Sequence, residues 1–282
     1  MGSAMAVNLM RAGYRVVGYD VLEERRRSLA RAGGEAARSC RAVGERSGVV
    51  ICSLPSAKAL LKTADELGQI RSPRVVIETS TLPIDVKDVA RKRLASEGAV
   101  LLDCPLSGTG SQARSRDLVV YASGDRRAYR QVAPVLDAIA RAHYHVGTFG
   151  NGSKTKFVAN LLVAIHNVAA AEALVLAGKA GLDPKTTFTV IAAGAGSSRM
   201  LQVRGPLMVK RDYSKALMKL DVWKKDMAII RRFARGAGAW TPLFDRTVPL
   251  YSAATRAGGT RDTAAVHEVL AESTKYKVQS RK

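Results

Sequence analysis

Gly150-Asn-Gly-Ser-Lys-Thr-Lys-Phe-Val-Ala-Asn-Leu-Leu-Val-Ala-Ile-His-Asn-Val-Ala-Ala-Ala-Glu-Ala-Leu-Val-Leu-Ala-Gly-Lys-Ala-Gly181 is the stretch on which the chain divides. Two glycines and Ser153 predict a turn with Ser153 as N-cap. Nothing then interrupts a helix for about seven turns, until Gly181 and Pro184 supply stop signals. Ala, Val and Leu dominate, so most of this helix is expected to be buried. At about 100° per residue, Lys156, Asn160 and Asn167 fall within about 40° of one another, a narrow polar stripe on an apolar rod. A lysine in apolar surroundings loses hydration and becomes able to exchange protons near neutrality, which suits a general acid/base. On the helix alone an alternative stands: Lys156 snorkels to solvent and the asparagines satisfy neighbouring backbone.

Before this stretch, helical and extended patterns alternate; after it, every pattern is helical. Residues 3–12 read as a helix and 15–20 as a short strand ending at Asp20. A basic helix follows at 23–32, then strands at 47–55 and 74–83 with a helix between them at 57–67. The run from Ala99 enters a loop at Ser107-Gly108-Thr109, and a further strand covers 117–122. Beyond the long helix come helical segments at 187–193, 217–234, 242–256 and 262–272. Alternating strands and helices predict a parallel α/β sheet of Rossmann type, in which ligands bind beyond the carboxyl ends of the strands. Asp20, Leu54-Pro55 and Ser80-Thr81 all lie at such ends. The expected domains are 1–149, a dinucleotide-binding unit, and 150–282, an all-helical unit.

Gly2 and Asp20 have the spacing of the last fingerprint glycine and the ribose-binding acid of a dinucleotide site. The strand that normally precedes that glycine is missing from the chain. The expectation is therefore a sheet with its first strand absent, as in an N-terminally truncated sequence. The amides of Ser107, Gly108 and Thr109, with two hydroxyls, suit a carboxylate. A glycine-containing hairpin explains the same residues equally well.

The 282 residues carry 45 Lys and Arg against 24 Asp and Glu, a net charge of +21. Such a balance fits either nucleic-acid binding or a field that draws in an anionic cofactor and substrate. The basic residues are dispersed and no nucleic-acid motif accompanies them, so no nucleic-acid partner is expected. Cys40, Cys52 and Cys104 show no metal-ligand spacing and read as reduced thiols; no metal is expected. No leader or membrane-spanning run is read in the sequence, which predicts a cytoplasmic protein without a membrane partner. The basic end from Lys275 to Lys282 is expected to fray.

Five motifs in order resemble the β-hydroxyacid dehydrogenase family, which includes 3-hydroxyisobutyrate dehydrogenase, tartronate semialdehyde reductase and 6-phosphogluconate dehydrogenase. Met1-Gly2 resembles the end of its Gly-x-Gly-x-Met-Gly turn, and Ser80-Thr81 its cofactor-side pair. Asp103-Cys-Pro-Leu-Ser-Gly is similar to its substrate loop, Gly150-x-Gly-x-x-x-Lys156-x-x-x-Asn160 to its catalytic helix, and Lys225-Asp226 to the Lys-Asp pair of a later helix. The resemblance implies NAD(P)-dependent oxidation of a small-molecule hydroxyacid by a homodimer or homotetramer. It makes Lys156 the acid/base and Asn160 the group that holds the substrate hydroxyl. Ser107, Gly108 and Thr109 would hold the carboxylate, while Met1, Gly2, Asp20, Leu54, Pro55, Thr81 and Lys225 would contact the cofactor. Asp20 favours NAD, with NADP possible beside Arg25, Arg26 and Arg27. Ser107-Gly108-Thr109-Gly110, with Asn151 and His166, looks more like the branch that oxidises L-threonate and similar sugar acids. A catalytically silent relative that binds an acidic partner is the competing expectation.

Overall fold

Every residue of strand β4 (Arg74–Glu78) is buried, as expected of a strand covered on both faces. Around it the computed structural model describes residues 1–70 and 74–273 and resolves two units, Met1–Lys156 and Phe157–Lys282.

The first unit alternates helices and strands. In order it contains α1 (Gly2–Arg11), β1 (Val17–Gly18), α2 (Glu23–Arg31), β2 (Glu35–Ala36), α3 (Cys40–Arg46), β3 (Val49–Cys52), α4 (Ala57–Gly68) and β4. There follow α5 (Ile84–Ala95), β5 (Ala99–Asp103), β6 (Leu106–Ser107), α6 (Gly110–Arg114), β7 (Val119–Ala122), α7 (Arg126–Ile139) and β8 (Ala142–His145). Strands β3, β4 and β5 pair in parallel, with Val49 opposite Val75 and Glu78 opposite Asp103. β6 and β7 pair antiparallel and β7 and β8 parallel, while a bridge between Asp103 and Ser123 ties this ladder to β5. The loop after Ser107 therefore is a hairpin arm, with α6 inserted in it.

Alternation along β4 divides the core. Val75 and Ile77 pack with Met5 of α1 and with Val132 and Leu136 of α7. Val76 points the other way, into Leu60 and Leu67 of α4 and Ala90 and Leu94 of α5. β1 hydrogen-bonds to β2 and β3 to β4, and among the described residues no strand joins β1 to β3.

The helix α8 (Asn151–Lys179) begins in the first unit and continues into the second. The second unit adds α9 (Pro184–Ala193), α10 (Arg199–Lys210), α11 (Leu220–Gly236), α12 (Pro242–Gly258), a 3-10 turn at Thr263–Ala265 and α13 (Val266–Glu272). The fold is thus a Rossmann-like parallel sheet followed by an all-helical region. Helices α3, α5, α6, α7 and α10 have no counterpart in the sequence reading. α5 carries charged residues around the helix, and α7 and α10 each contain a proline, Pro134 and Pro206, so the usual period is obscured. The expected fraying of 275–282 falls outside the described residues.

Against expectation, α8 is long and apolar enough, by length and composition alone, to cross a membrane. Its buried asparagines place one face in the core, but 39% of its most apolar 18-residue window is buried, against the expectation that most of the helix is. Asn167 donates from Nδ2 to Tyr251 Oη at 2.9 Å and to the Thr263 carbonyl at 3.0 Å, joining α8 to α12 and the 3-10 turn.

Candidate active site

The stripe predicted on α8 is real: Lys156, Asn160 and Asn167 are all buried. Two glycines explain how the helix starts. Gly150 has φ of +94°, a conformation that side chains disfavour. A Cβ on Gly152 would lie 2.3 Å from the Tyr121 carbonyl oxygen and 2.5 Å from that of Asp103. The first turn of α8 thus rests directly on the backbone at the ends of β5 and β7.

Ser153 is not the N-cap, as expected from sequence, because the helix already begins at Asn151. It lies inside the first turn, where its amide donates to Asp103 Oδ2 at 2.8 Å and its hydroxyl to Asp103 Oδ1 at 2.8 Å. The Gly152 amide donates to Ser123 Oγ at 2.9 Å. Helix-start amides lack intrahelical acceptors, and here a carboxylate and a hydroxyl take that role.

Beneath Asp103 lies a lysine that sequence reasoning did not single out. Lys87 of α5 is fully buried, with Nζ 2.6 Å from Glu78 Oε2 and 2.8 Å from Asp103 Oδ1, and it donates to the Ser80 carbonyl at 2.7 Å. Burial alone would pull its pKa down, but attraction to Glu78 and Asp103 outweighs this and raises it above the ordinary lysine value.

At the carboxyl ends of β3 and β4, the Leu54 amide donates to Ser80 Oγ at 2.7 Å, and Thr79 Oγ1 donates to the Cys52 carbonyl at 2.7 Å. These bonds bring the Leu54-Pro55 turn against Ser80-Thr81. Asp20 stands after β1 with its carboxylate accepting from the Leu22 amide at 2.9 Å, and Arg26 donates to the Asp20 carbonyl at 2.5 Å.

The N-terminus of α1 is open: a Cβ on Gly2 would meet nothing within 4 Å. Burial, then repulsion from Arg25 and Arg114, hold the Met1 ammonium below its ordinary pKa. A helix start with Arg25 and Arg114 nearby suits a diphosphate. These residues, with Asp20 for a ribose and the Leu54–Ser80 wall, fit a nicotinamide dinucleotide.

The predicted carboxylate loop is only partly as expected. Gly108 has φ of +134°. The Thr109 amide is not free, because it donates to Gln112 Oε1 at 2.9 Å in a capping box at the start of α6. Of the two residues singled out with this loop, Asn151 donates to the Val146 carbonyl at 3.1 Å, a turn-forming role, and His166 is exposed on α8.

In the helical unit, Asp226 links two expected site residues. Asn160 Nδ2 donates to Asp226 Oδ2 at 3.4 Å, and Lys225 Nζ lies 3.0 Å from Asp226 Oδ1. Its place beside Lys225 in the quoted pair was the sequence signal for it.

Comparison with known proteins bears on the family. Residues 1–147 match the family described as the NAD binding domain of 6-phosphogluconate dehydrogenase, and residues 150–270 match the family described as NAD-binding of NADP-dependent 3-hydroxyisobutyrate dehydrogenase. The chain is 34% identical to an L-threonate dehydrogenase of Cupriavidus necator over 275 residues, covering 95% of this chain and 92% of that relative. It is 30% identical to an NAD-dependent L-serine dehydrogenase of Pseudomonas aeruginosa, covering 89% and 88%. The crystal structure of 3-hydroxyisobutyrate dehydrogenase from Salmonella typhimurium superposes with a TM-score of 0.86 at 28% identity, covering 95% of each chain. The chain belongs to the NAD(P)-dependent β-hydroxyacid dehydrogenase family.

Proposed function

We propose that this dehydrogenase oxidises L-threonate or a closely similar sugar acid, with Lys156 as general base. The observation that carries the reading is the burial of Lys156 in a helix turn whose backbone is pinned to the sheet through Ser153 and Asp103. NAD(P) supplies the hydride acceptor. As the hydride leaves the hydroxyl-bearing carbon, Lys156 Nζ takes the hydroxyl proton and Asn160 holds the oxygen. The turn at Ser107, Gly108 and Thr109 binds the carboxylate, without the Thr109 amide, which Gln112 already holds. Met1, Gly2, Asp20, Leu54, Pro55 and Thr81 contact the cofactor, and Lys225 closes over it. The 34% identity to an L-threonate dehydrogenase supports the choice of substrate. The remaining parts of the reading are a cytoplasmic enzyme, a division of labour between 1–149 and 150–282, and assembly as a homodimer or homotetramer.

The test is a panel of L-threonate, L-serine and 3-hydroxyisobutyrate with NAD and with NADP, run beside Lys156→Ala. The expected result is the highest kcat/KM for L-threonate with NAD, and loss of turnover in Lys156→Ala with NADH affinity retained. Tenfold better use of serine or 3-hydroxyisobutyrate would reject the substrate, and an active Lys156→Ala enzyme would reject the mechanism.

A further inference from the structure

Three charged side chains, Lys87, Glu78 and Asp103, are each 0% exposed at the carboxyl ends of β4 and β5. Removing such charges from water is costly, and a well-packed apolar cluster of the same volume often serves stability as well or better. Their partners suggest what they do. The Lys87 ammonium donates to Asp103 Oδ1 and to the Ser80 carbonyl, and it is ion-paired with Glu78 Oε2. Glu78 Oε1 accepts the Ser80 amide at 2.9 Å. Asp103 Oδ2 accepts the Ser153 amide and Oδ1 is shared by the Ser153 hydroxyl and Lys87, while Ser123 completes the cluster by receiving the Gly152 amide and donating to the Asp103 carbonyl at 3.2 Å. One ammonium against two carboxylates leaves a net negative charge under the amino end of α8, the sign that a helix start favours.

We infer that Lys87 is a positioning residue for the reaction: by holding Asp103 in one place it fixes Ser153 and the first turn of α8, and so sets where Lys156 Nζ stands. This rests on the reading of Lys156 as the base. Lys156 lies three positions after Ser153, about 4.5 Å along the helix axis, so a shift of the anchored turn carries directly to the lysine. Displacing a catalytic group by about 1 Å can cost on the order of a hundredfold in rate. The same lysine also grips the Ser80 carbonyl, next to the Leu54–Ser80 wall. A single buried ammonium thus joins the cofactor-side turn to the turn that bears the base.

The experiment compares wild type, Ser153→Ala, Lys87→Met and Lys156→Ala in the full chain. Turnover is measured on whichever hydroxyacid of the panel gives the highest kcat/KM, NADH binding by fluorescence titration, and amide exchange over residues 151–156 by mass spectrometry. Expected for Ser153→Ala is a fall in kcat of about tenfold, with KM for the hydroxyacid and NADH affinity within twofold, and at least tenfold faster exchange in the first turn of α8. Lys87→Met should show the same pattern more strongly; should it not fold, Ser153→Ala decides alone. Unchanged exchange or unchanged kcat in Ser153→Ala overturns the inference. An inactive Lys156→Ala beside a fully active Ser153→Ala confines the failure to this inference, whereas an active Lys156→Ala overturns both readings.

Discussion

The Leu54 amide donates to the hydroxyl of Ser80 at 2.7 Å, so two turns at the ends of neighbouring parallel strands are held as one wall. Ser80 is buried, and its amide is already engaged by Glu78. Ser80→Ala leaves the Leu54 amide without this acceptor, at a cost of about 1 kcal/mol. The wall is assigned to the cofactor side, so NADH affinity should fall severalfold while kcat at saturating cofactor changes little. Fluorescence titration alongside steady-state kinetics checks this.

Two glycines of one helix should respond to alanine with opposite signs. At Gly152 the added methyl would meet backbone oxygens of Tyr121 and Asp103, neither of which can move without disturbing β5 or β7. Gly152→Ala should destabilise by about 1–3 kcal/mol and abolish turnover. At Gly178, in the same α8, the methyl would meet nothing within 4 Å. Gly178→Ala should stabilise by about 0.5–1 kcal/mol through helix propensity and reduced unfolded-state entropy. Urea unfolding of the two variants against wild type measures both.

Gly150 and Gly152 were legible in the sequence because their constraint is local: a positive φ and a close approach leave a glycine signature at fixed spacing. The stripe of Lys156, Asn160 and Asn167 was legible for the same reason, through helical periodicity. Lys87 was not. Its burial depends on Glu78 and Asp103, which meet it only once β4, β5 and α5 have packed. A lysine among Asp85, Asp88, Arg91 and Lys92 otherwise reads as a solvated helix face. Ser153 was misread for a related reason: cap chemistry and a tertiary hydrogen bond call for the same residue type at the start of a helix. The Thr109 amide was expected to be free because Gln112, which occupies it, carries no mark of its cap role beyond the spacing.

On the proposed reading of Asp20 as the ribose-binding acid, its carboxylate and the neighbouring arginines would set the choice of cofactor. Asp20 is exposed, and Arg26 is held by the Asp20 carbonyl and lies over the Tyr19 ring at 5.7 Å. With the carboxylate present, a 2′-phosphate is repelled; without it, Arg25, Arg26 and Arg27 are left to attract one. Asp20→Ser should shift the ratio of kcat/KM for NADP over NAD upward by about tenfold or more, equivalent to roughly 1.4 kcal/mol. An unchanged ratio would remove Asp20 from the cofactor site.

In the helical unit, His267 links stability to pH. Its Nδ1 lies 3.1 Å from the Tyr213 hydroxyl. Burial, then repulsion from Arg211, lower its pKa below the ordinary histidine value despite the opposing pull of Glu268. The folded chain therefore holds this imidazole neutral at a pH where the unfolded chain has begun to protonate it. Below the unfolded value of about 6.5 the unfolded state binds more protons, so stability falls as pH drops toward the folded pKa and is fully present above 6.5. His267→Gln keeps a polar group near Tyr213 but removes the titration. Unfolding free energies measured between pH 7.5 and 5.5 should decline less steeply in His267→Gln than in wild type, and parallel curves would show that another group carries the dependence.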